Sequence, residues 1–243
     1  MMREQEIPLT GGTNAKEIVR IGNIVHRTKH EQHLFIKEVL LHLEAKGFSY
    51  APRYLGQDEQ DRTMLNFLVG EVPRGLALSE EQLIQAARLL RQFHDATRDF
   101  PQKAAEEVIC HRDFAPWNII IHQGSVSGII DFDEVAPGKR IEDFAYFSWT
   151  FLELGSSLYP LKRQLRMLKL LAAAYGSLQT SQFVDALLAQ QARILQLRRE
   201  LVPLQEEPES RQAAEERVAR IQAEIAWVEQ HREVLAACVA AIH

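Results

Sequence analysis

The feature that most constrains the fold is a change in the spacing of apolar residues, from strand-like alternation in the first part of the chain to helical spacing in the rest. The first seventy residues contain short stretches in which apolar and polar residues alternate, as in β-strands: 17–22, 23–28, 54–56 and 64–69. Between them, residues 33–46 carry apolar side chains at helical spacing, and Gly47 follows where a helix C-cap is expected. A small antiparallel sheet with one helix is therefore predicted for this part of the chain.

The rest of the chain is predominantly helical in its pattern. Ser79 and Gln82 form a capping-box sequence, which starts a helix that extends to about Thr97. Further helices are predicted over residues 144–153, 161–175, 182–202 and 209–242. We therefore predict an α+β fold, with a small antiparallel-sheet lobe over residues 1–70 and a mainly helical lobe over residues 71–243.

The last predicted helix carries an apolar stripe with helical spacing: Val218, Ile221, Ile225, Val228, Leu235, Val239 and Ile242. Such a stripe favours an amphipathic helix packed against its own domain over an intermolecular coiled coil. A homodimer formed through the C-terminal helices stays open as the alternative.

Composition narrows the classes of function. The chain has 243 residues, 46% of them hydrophobic, which is enough to bury a large core. Its formal net charge of −5 argues against a general nucleic-acid or anionic-membrane partner, because both need a basic face. Its two cysteines are too few for a disulfide framework, and the N-terminus has no apolar signal segment. We expect a cytoplasmic protein that binds neither nucleic acid nor membrane.

One group of residues stands out for its chemistry. His111 and Asp113 are followed by Asn118, and Asp131 comes thirteen residues later. Random placement of the histidine, the two aspartates and the asparagine at these spacings is expected in roughly 2 of 10,000 chains of this composition. Residues 119–130 form two short apolar stretches around a turn, which predicts a β-hairpin that returns Asp131 to Asn118.

These residue types at this spacing suit the transfer of a γ-phosphoryl group. That reaction needs positioning, a divalent cation that neutralises phosphate charge, and a carboxylate beside the attacking hydroxyl. Asp113 can accept or orient the hydroxyl proton, while the oxygens of Asn118 and Asp131 match the preference of Mg²⁺ for hard ligands. His111 is predicted to organise the loop, and Asp143 to cap the helix that follows it.

The segments HRDFAPWNIII and GSVSGIIDFDEVAPGKRIEDFAYF resemble the aminoglycoside phosphotransferase and choline kinase-like family, small-molecule relatives of the protein kinases. They contain the family's catalytic loop (H-x-D-x-x-x-x-N), its metal strand (I-D-[FW]-[DE]) and its trailing aspartate before an apolar pair. Looser matches to LTGGTN, IVHRT and LNFLVGE extend the resemblance over essentially the whole chain. The resemblance implies a two-lobed protein-kinase-like fold in which the N-terminal lobe binds the nucleotide and the C-terminal lobe carries the acceptor site.

The resemblance also implies roles for individual residues. Asp113 would be the catalytic base or orienting carboxylate. Mg²⁺ would be held by Asn118 and Asp131, with Asp133 as an auxiliary ligand.

ATP would be the phosphoryl donor. Its adenine would lie against the backbone of Phe67, Leu68 and Val69. Its phosphates would lie beside Arg27 and under a loop formed by Thr10, Gly11, Gly12, Thr13 and Asn14.

The sequence departs from the family at the cation that binds the phosphates. Arg27 stands where a lysine is usual, and its forked guanidinium can bind phosphate with a different reach. The acidic partner of this cation on the following helix is either Glu38 or Glu31, and each is equally compatible with a surface carboxylate.

The predicted function is ATP- and Mg²⁺-dependent phosphorylation of a hydroxyl group on a small molecule. Protein phosphorylation is disfavoured because only eleven residues separate Asp131 from Asp143, which leaves no room for an activation segment. Acidic residues in the later helices are compatible with an aminoglycoside-like or amino-alcohol-like acceptor. The alternative is a catalytically weak or inactive pseudokinase that binds nucleotide and a partner protein.

Overall fold

A computed structural model describes residues 5–9, 18–73, 78–178 and 180–240 and contains the predicted N-terminal sheet. The sheet has five strands: β1 (Ile7–Pro8), β2 (Ile18–Ile21), β3 (Ile24–Arg27), β4 (Tyr54–Gln57) and β5 (Thr63–Asn66). All neighbouring strands are antiparallel, in the order β1-β2-β3-β5-β4. The predicted strand over 64–69 ends earlier, at Asn66, because the chain then leaves the sheet towards the helical part.

Helix α1 (His33–Ala45) follows β3, as predicted, and buries Val39, Leu40 and Leu43 in the core. These three side chains lie on one face because they are spaced by one, three and four residues along the helix.

The connection between the sheet and the helical part passes very close to the backbone of the later hairpin. A Cβ atom on Gly70, which has φ +140°, would lie 2.5 Å from the carbonyl oxygen of Ile121. Glycine is therefore required for this approach. Glu71 and Ile121 then exchange backbone hydrogen bonds of 3.0 and 2.8 Å, which fix the connection to the hairpin.

The helical part begins with α2 (Glu80–Ala96), which has the predicted capping box of Ser79 and Gln82 and ends at Thr97. The predicted hairpin is formed by β7 (Ile119–His122) and β8 (Ser125–Ile129). A further antiparallel pair, β6 (Val108–Cys110) and β9 (Ala136–Gly138), was not predicted. It brings the start of the loop at 111–118 beside the end of the segment at 130–135.

Five more helices complete the described chain: α3 (Arg140–Leu152), α4 (Leu161–Tyr175), α5 (Phe183–Leu201), α6 (Pro208–Gln230) and α7 (Arg232–Ala240). The prediction of one unbroken helix over 209–242 is wrong. α6 ends at Gln230, the C-cap residue His231 donates its amide to the carbonyl oxygens of Trp227 and Val228, and α7 begins at Arg232. No helix among the described residues is long and apolar enough to cross a membrane.

Most of the apolar stripe near the C-terminus is buried in the core of its own chain, as favoured above. Ile221, Val228, Leu235 and Val239 are all within the hydrophobic core, whereas Ile242 lies outside the described residues. A homodimer through these helices stays a prediction. The α+β class, with a small antiparallel sheet followed by a mainly helical part, is confirmed, while the proposed boundary at residue 70 is not tested.

Candidate active site

Asp143 anchors the loop that carries Asp113. Its carboxylate accepts the backbone amide of His111 at 2.6 Å and that of Arg112 at 2.8 Å. The prediction that Asp143 caps the following helix is wrong, because α3 begins three residues earlier with Lys139 at the N-cap. The side chain instead reaches back to the loop, where Arg112 has a left-handed backbone with φ +63°. The two hydrogen bonds help to hold that strained conformation.

A buried histidine supports this anchor. His94 on α2 donates from Nε2 to Asp143 Oδ2 at 3.0 Å and accepts from the Tyr175 hydroxyl at 2.7 Å through Nδ1. Burial would raise the pKa of Asp143, but hydrogen bonds from His94 and the loop hold it below its ordinary value. Burial lowers the pKa of His94, so the neutral imidazole is favoured.

The position of His111 agrees with its predicted role as a loop organiser. The ring is fully buried and donates from Nε2 to the carbonyl oxygen of Ile130 at 3.1 Å. This bond ties the loop directly to the residue before Asp131. Burial also lowers the pKa of His111, and the ring has no surface through which a substrate could reach it.

Three side chains donate hydrogen bonds to the carboxylate of Asp113. The Tyr146 hydroxyl donates to Oδ1 at 2.6 Å, Asn118 Nδ2 donates to Oδ2 at 2.7 Å, and Trp117 Nε1 lies 3.4 Å from Oδ2. The indole of Trp117 is 48% exposed beside this carboxylate. The sequence analysis missed Tyr146, although its position one helical turn after Asp143 on α3 places both side chains towards the same loop.

Asn118 is buried and joins the loop to the hairpin. Its Nδ2 also donates to the carbonyl oxygen of Asp113 at 2.9 Å, and its own carbonyl oxygen accepts the amide of Ile130 at 2.9 Å. Because the amide nitrogen is used by Asp113, the side-chain oxygen is the atom left for a cation. The hairpin therefore brings Asp131 back to the loop, as its length predicted.

Asp131 follows Ile130 in a left-handed backbone conformation with φ +66°. The residue as a whole is exposed, but it also lines a cleft together with Arg27 and Asp133. Desolvation of the carboxylate, together with the negative charge of Asp133, raises the pKa of Asp131 to about 6, while Arg27 opposes the rise. A bound cation would stabilise the ionised form of this carboxyl group and lower its pKa.

Asp133 forms an ion pair with Arg27, with 2.5 Å between Oδ2 and Nη2. Its other oxygen, Oδ1, is buried and has no hydrogen-bond partner in the described part of the chain. An unpaired buried carboxylate oxygen next to Asp131 fits a bound cation. Together with Asn118, the predicted ligands offer only oxygen atoms, which suits Mg²⁺. That the three residues hold one cation stays a prediction.

The structure describes some, but not all, of the residues that were predicted to bind the nucleotide. Arg27 lines this cleft together with Lys37, Asp131 and Asp133. The backbone amide of Phe67 donates a hydrogen bond to the carbonyl oxygen of Asn23 at 2.8 Å.

Val69 is 60% exposed. The contacts of Phe67, Leu68 and Val69 with adenine stay a prediction. The predicted phosphate loop of Thr10, Gly11, Gly12, Thr13 and Asn14 lies outside the described residues.

The predicted pairing of Arg27 with Glu38 on α1, or with Glu31 just before that helix, is not what the structure has. Arg27 pairs with Asp133, and Glu38 accepts a hydrogen bond from the side-chain amide of Gln102. The side chain of the preceding residue, Lys37, lines the cleft and lies over the ring of Tyr54, 5.3 Å from its centroid. In this chain α1 thus presents a cation to the cleft beside Arg27.

Comparison with known proteins agrees with this geometry. A family model described as "Phosphotransferase enzyme family" matches residues 96–164, which include the loop at 111–118, the hairpin and α3. The predicted family resemblance is confirmed. The part of the chain that matches this phosphotransferase family is the part that contains Asp113, Asn118, Asp131 and Asp143.

The chain is also similar to the trifolitoxin immunity protein of Rhizobium leguminosarum bv. trifolii. The two are 33% identical over 165 residues, which are 61% of this chain. The match spans 63% of the length of that relative.

Solved structures confirm the kinase-like fold. A microcompartment-associated aminopropanol kinase aligns with a TM-score of 0.68 at 12% identity, covering 96% of this chain and 94% of that one. An amicoumacin kinase, solved with AMP-PNP and Ca²⁺, aligns with a TM-score of 0.66 at 10% identity, covering 91% and 87%. A choline/ethanolamine kinase family protein from Mesorhizobium loti aligns with a TM-score of 0.59 at 13% identity, covering 93% and 92%. At these identities the likeness concerns the fold.

Proposed function

We propose that the protein is a small-molecule kinase that uses Mg²⁺ and ATP to phosphorylate a hydroxyl group. The observation that carries the proposal is the carboxylate of Asp113, held by Tyr146 and Asn118 at 2.6 and 2.7 Å beside the segment that contains Asp131. The match of this segment to the phosphotransferase family supports the same conclusion.

In the proposed reaction the acceptor hydroxyl oxygen attacks the γ-phosphorus of ATP. A bond forms between these two atoms, the bond from the γ-phosphorus to the bridging oxygen of ADP breaks, and Asp113 receives the hydroxyl proton. Tyr146 and Asn118 fix the orientation of the Asp113 carboxylate, since each donates to a different oxygen.

Asn118, Asp131 and Asp133 would hold Mg²⁺, which would neutralise negative charge on the phosphates when bound. Arg27 would bind the phosphates of ATP in this proposal. Its ion pair with Asp133 places a guanidinium at the cleft, and the forked N–H donors of that group would suit the phosphates.

The experiment compares wild type with Asp113→Asn, using Asp185→Asn on the exposed face of α5 as the matched control. We expect Asp113→Asn to retain Mg²⁺–ATP binding, measured by calorimetry, and to lose ATP turnover in the presence of a hydroxyl acceptor. Turnover that survives in Asp113→Asn would overturn the proposed base. Nucleotide binding without turnover in the wild type, across acceptors of every charge class, would support the pseudokinase alternative.

The similarity to the trifolitoxin immunity protein suggests a biological use of this chemistry. Phosphorylation of a hydroxyl-bearing toxic compound would give the chain a protective role. Cells that express the wild type, but not Asp113→Asn, would then survive a higher concentration of that compound.

A further inference from the structure

Helix α1 turns one face towards the cleft that Asp131 and Asp133 line. Three of its side chains line the same cleft: His33, Lys37 and Leu40. Because they are spaced by four and three residues, they lie on one face of the helix. A lysine is positively charged at neutral pH, so α1 brings a cation to the cleft of the proposed metal site.

The ammonium of Lys37 is not neutralised by a carboxylate. In the part of the chain that the structure describes, it forms no ion pair and no hydrogen bond. It lies over the ring of Tyr54 on β4, with 5.3 Å between Nζ and the ring centroid. The adjacent glutamate, Glu38, accepts a hydrogen bond from the side chain of Gln102 instead. The positive charge of Lys37 is therefore available to a ligand of the cleft.

The arginine of the same cleft is held more firmly. Arg27 Nη2 lies 2.5 Å from Asp133 Oδ2, and the two side chains are only 16% and 17% exposed. A lysine over an aromatic ring is held less strongly than a guanidinium in such a charge-assisted hydrogen bond. The four-carbon stem of a lysine is also flexible, so its ammonium can move while the helix stays in place. Lys37 is thus the cation that is free to meet an incoming anion.

The position of Lys37 suits the anionic part of the nucleotide. In the proposed reaction, the phosphates of ATP bind the metal ion that Asp131 and Asp133 would hold. These two carboxylates line the same cleft as Lys37, so the phosphates would lie in that cleft. There they would meet positive charge from two separate elements, with Arg27 on β3 and Lys37 on α1.

We propose that Lys37 binds the phosphates of the nucleotide from α1, in addition to Arg27 from β3. The inference rests on the proposed function and adds a substrate-binding residue to it. On nucleotide binding, the ammonium exchanges its contact with the Tyr54 ring for phosphate oxygens, to which it donates its N–H groups. The helix that was predicted to supply a glutamate to Arg27 supplies a second cation instead.

Calorimetry on the full chain, at saturating Mg²⁺, tests the inference with two probes. AMP-PNP carries three phosphorus groups, whereas adenosine carries none. Lys37→Met keeps an unbranched side chain over Tyr54 and removes the charge. We expect this variant to bind AMP-PNP about ten-fold more weakly than wild type and to bind adenosine equally well. A residue that only supported the fold of the cleft would affect both probes.

Further variants locate the effect in the charge of the side chain. Lys37→Gln repeats the removal of the charge with a polar side chain and should give the same loss. Lys37→Arg keeps the charge and should recover part of the affinity for AMP-PNP. The matched control is Lys46→Met at the C-cap of α1, where the ammonium pairs with Asp99, and it should bind both probes like wild type. Thermal melting of each variant checks that it is folded.

The outcomes separate this inference from the proposed function. A folded wild type that does not bind AMP-PNP would overturn the proposed function, and the inference with it. If the wild type binds AMP-PNP, two results would overturn the role of Lys37 alone. One is wild-type affinity for AMP-PNP in both Lys37→Met and Lys37→Gln, and the other is an equal loss of affinity for AMP-PNP and for adenosine.

Discussion

Arg27 on β3 and Asp133, which lies 106 residues later in the segment after β8, form an ion pair with 2.5 Å between Nη2 and Oδ2. Both side chains are mostly buried, so the pair links the N-terminal sheet to the proposed metal site through a short charge-assisted hydrogen bond. The cation expected to meet the phosphates is therefore held beside a carboxylate expected to meet the metal. Binding of Mg²⁺ and binding of the nucleotide should depend on each other through this contact.

Arg27→Gln is expected to raise the KM for ATP about ten-fold, because it removes a charged donor that the phosphates would use. Arg27→Lys should recover part of this loss, since it restores the charge without the fork. Steady-state kinetics with varied ATP measure the effect, and Arg53→Gln, an exposed arginine before β4, serves as the control. An unchanged KM in Arg27→Gln would show that another cation, such as Lys37, binds the phosphates.

The sequence allowed the hairpin and the grouping of Asn118 with Asp131 to be predicted because those features are local. Short apolar strands around a turn fix a hairpin, and a hairpin of known length brings its two ends together. Helix α2 was predicted with its cap for the same reason, since a capping box is encoded within four residues.

Features that depend on distant contacts were not predictable in this way. Asp143 has the local setting of a helix cap, and only the packing of α3 against the loop turns it towards the amides of His111 and Arg112. The Arg27–Asp133 pair likewise depends on how the sheet meets the segment after β8. The break at His231 was missed because the apolar spacing continues on both sides of it.

Asp131 should make nucleotide binding dependent on pH. Its pKa is raised to about 6, so a growing fraction of the carboxyl group is protonated as the pH falls below that value. A protonated carboxyl binds Mg²⁺ poorly, and we expect Mg²⁺-dependent affinity for AMP-PNP to decrease between about pH 7 and about pH 5. Calorimetry across this range checks the expectation, which a flat profile would contradict.

The same pKa has a consequence for stability. Because the folded pKa of Asp131 lies above the ordinary value of 3.8, ionisation of this group opposes folding, and the penalty appears as the pH rises through 3.8 to about 6. Asp131→Asn should therefore melt at a higher temperature than wild type at about pH 8 and gain nothing at about pH 4. It should also lose Mg²⁺-dependent nucleotide binding. Asp185→Asn is the control. If Asp131→Asn melted at the same temperature as wild type at both pH values, the raised pKa of Asp131 would be refuted.

Asp143→Ala is expected to lower the free energy of unfolding by about 3–5 kcal/mol, because it leaves His94 and two backbone amides without their buried acceptor. The pKa of Asp143 is lowered, so its contribution is present above the ordinary pKa of a carboxyl group and is lost as the pH falls through the folded value. Urea unfolding near neutral pH measures the change. Asp185→Ala should have little effect, and equal stability of the two variants would contradict the anchoring role.

Tyr146→Phe separates the orientation of the base from the stability of the fold. The variant removes only the hydroxyl that donates to Asp113 Oδ1 at 2.6 Å, while the ring keeps its edge contact with Trp149. Without that donor, one oxygen of the Asp113 carboxylate loses its fixed direction, and we expect kcat to fall about ten-fold with the KM for ATP unchanged. The control is Tyr159→Phe, which removes a hydroxyl from the segment between α3 and α4 and should behave as wild type. A fall in melting temperature that accounts for the lost activity, or an unaltered kcat, would show that the hydroxyl of Tyr146 does not position the base.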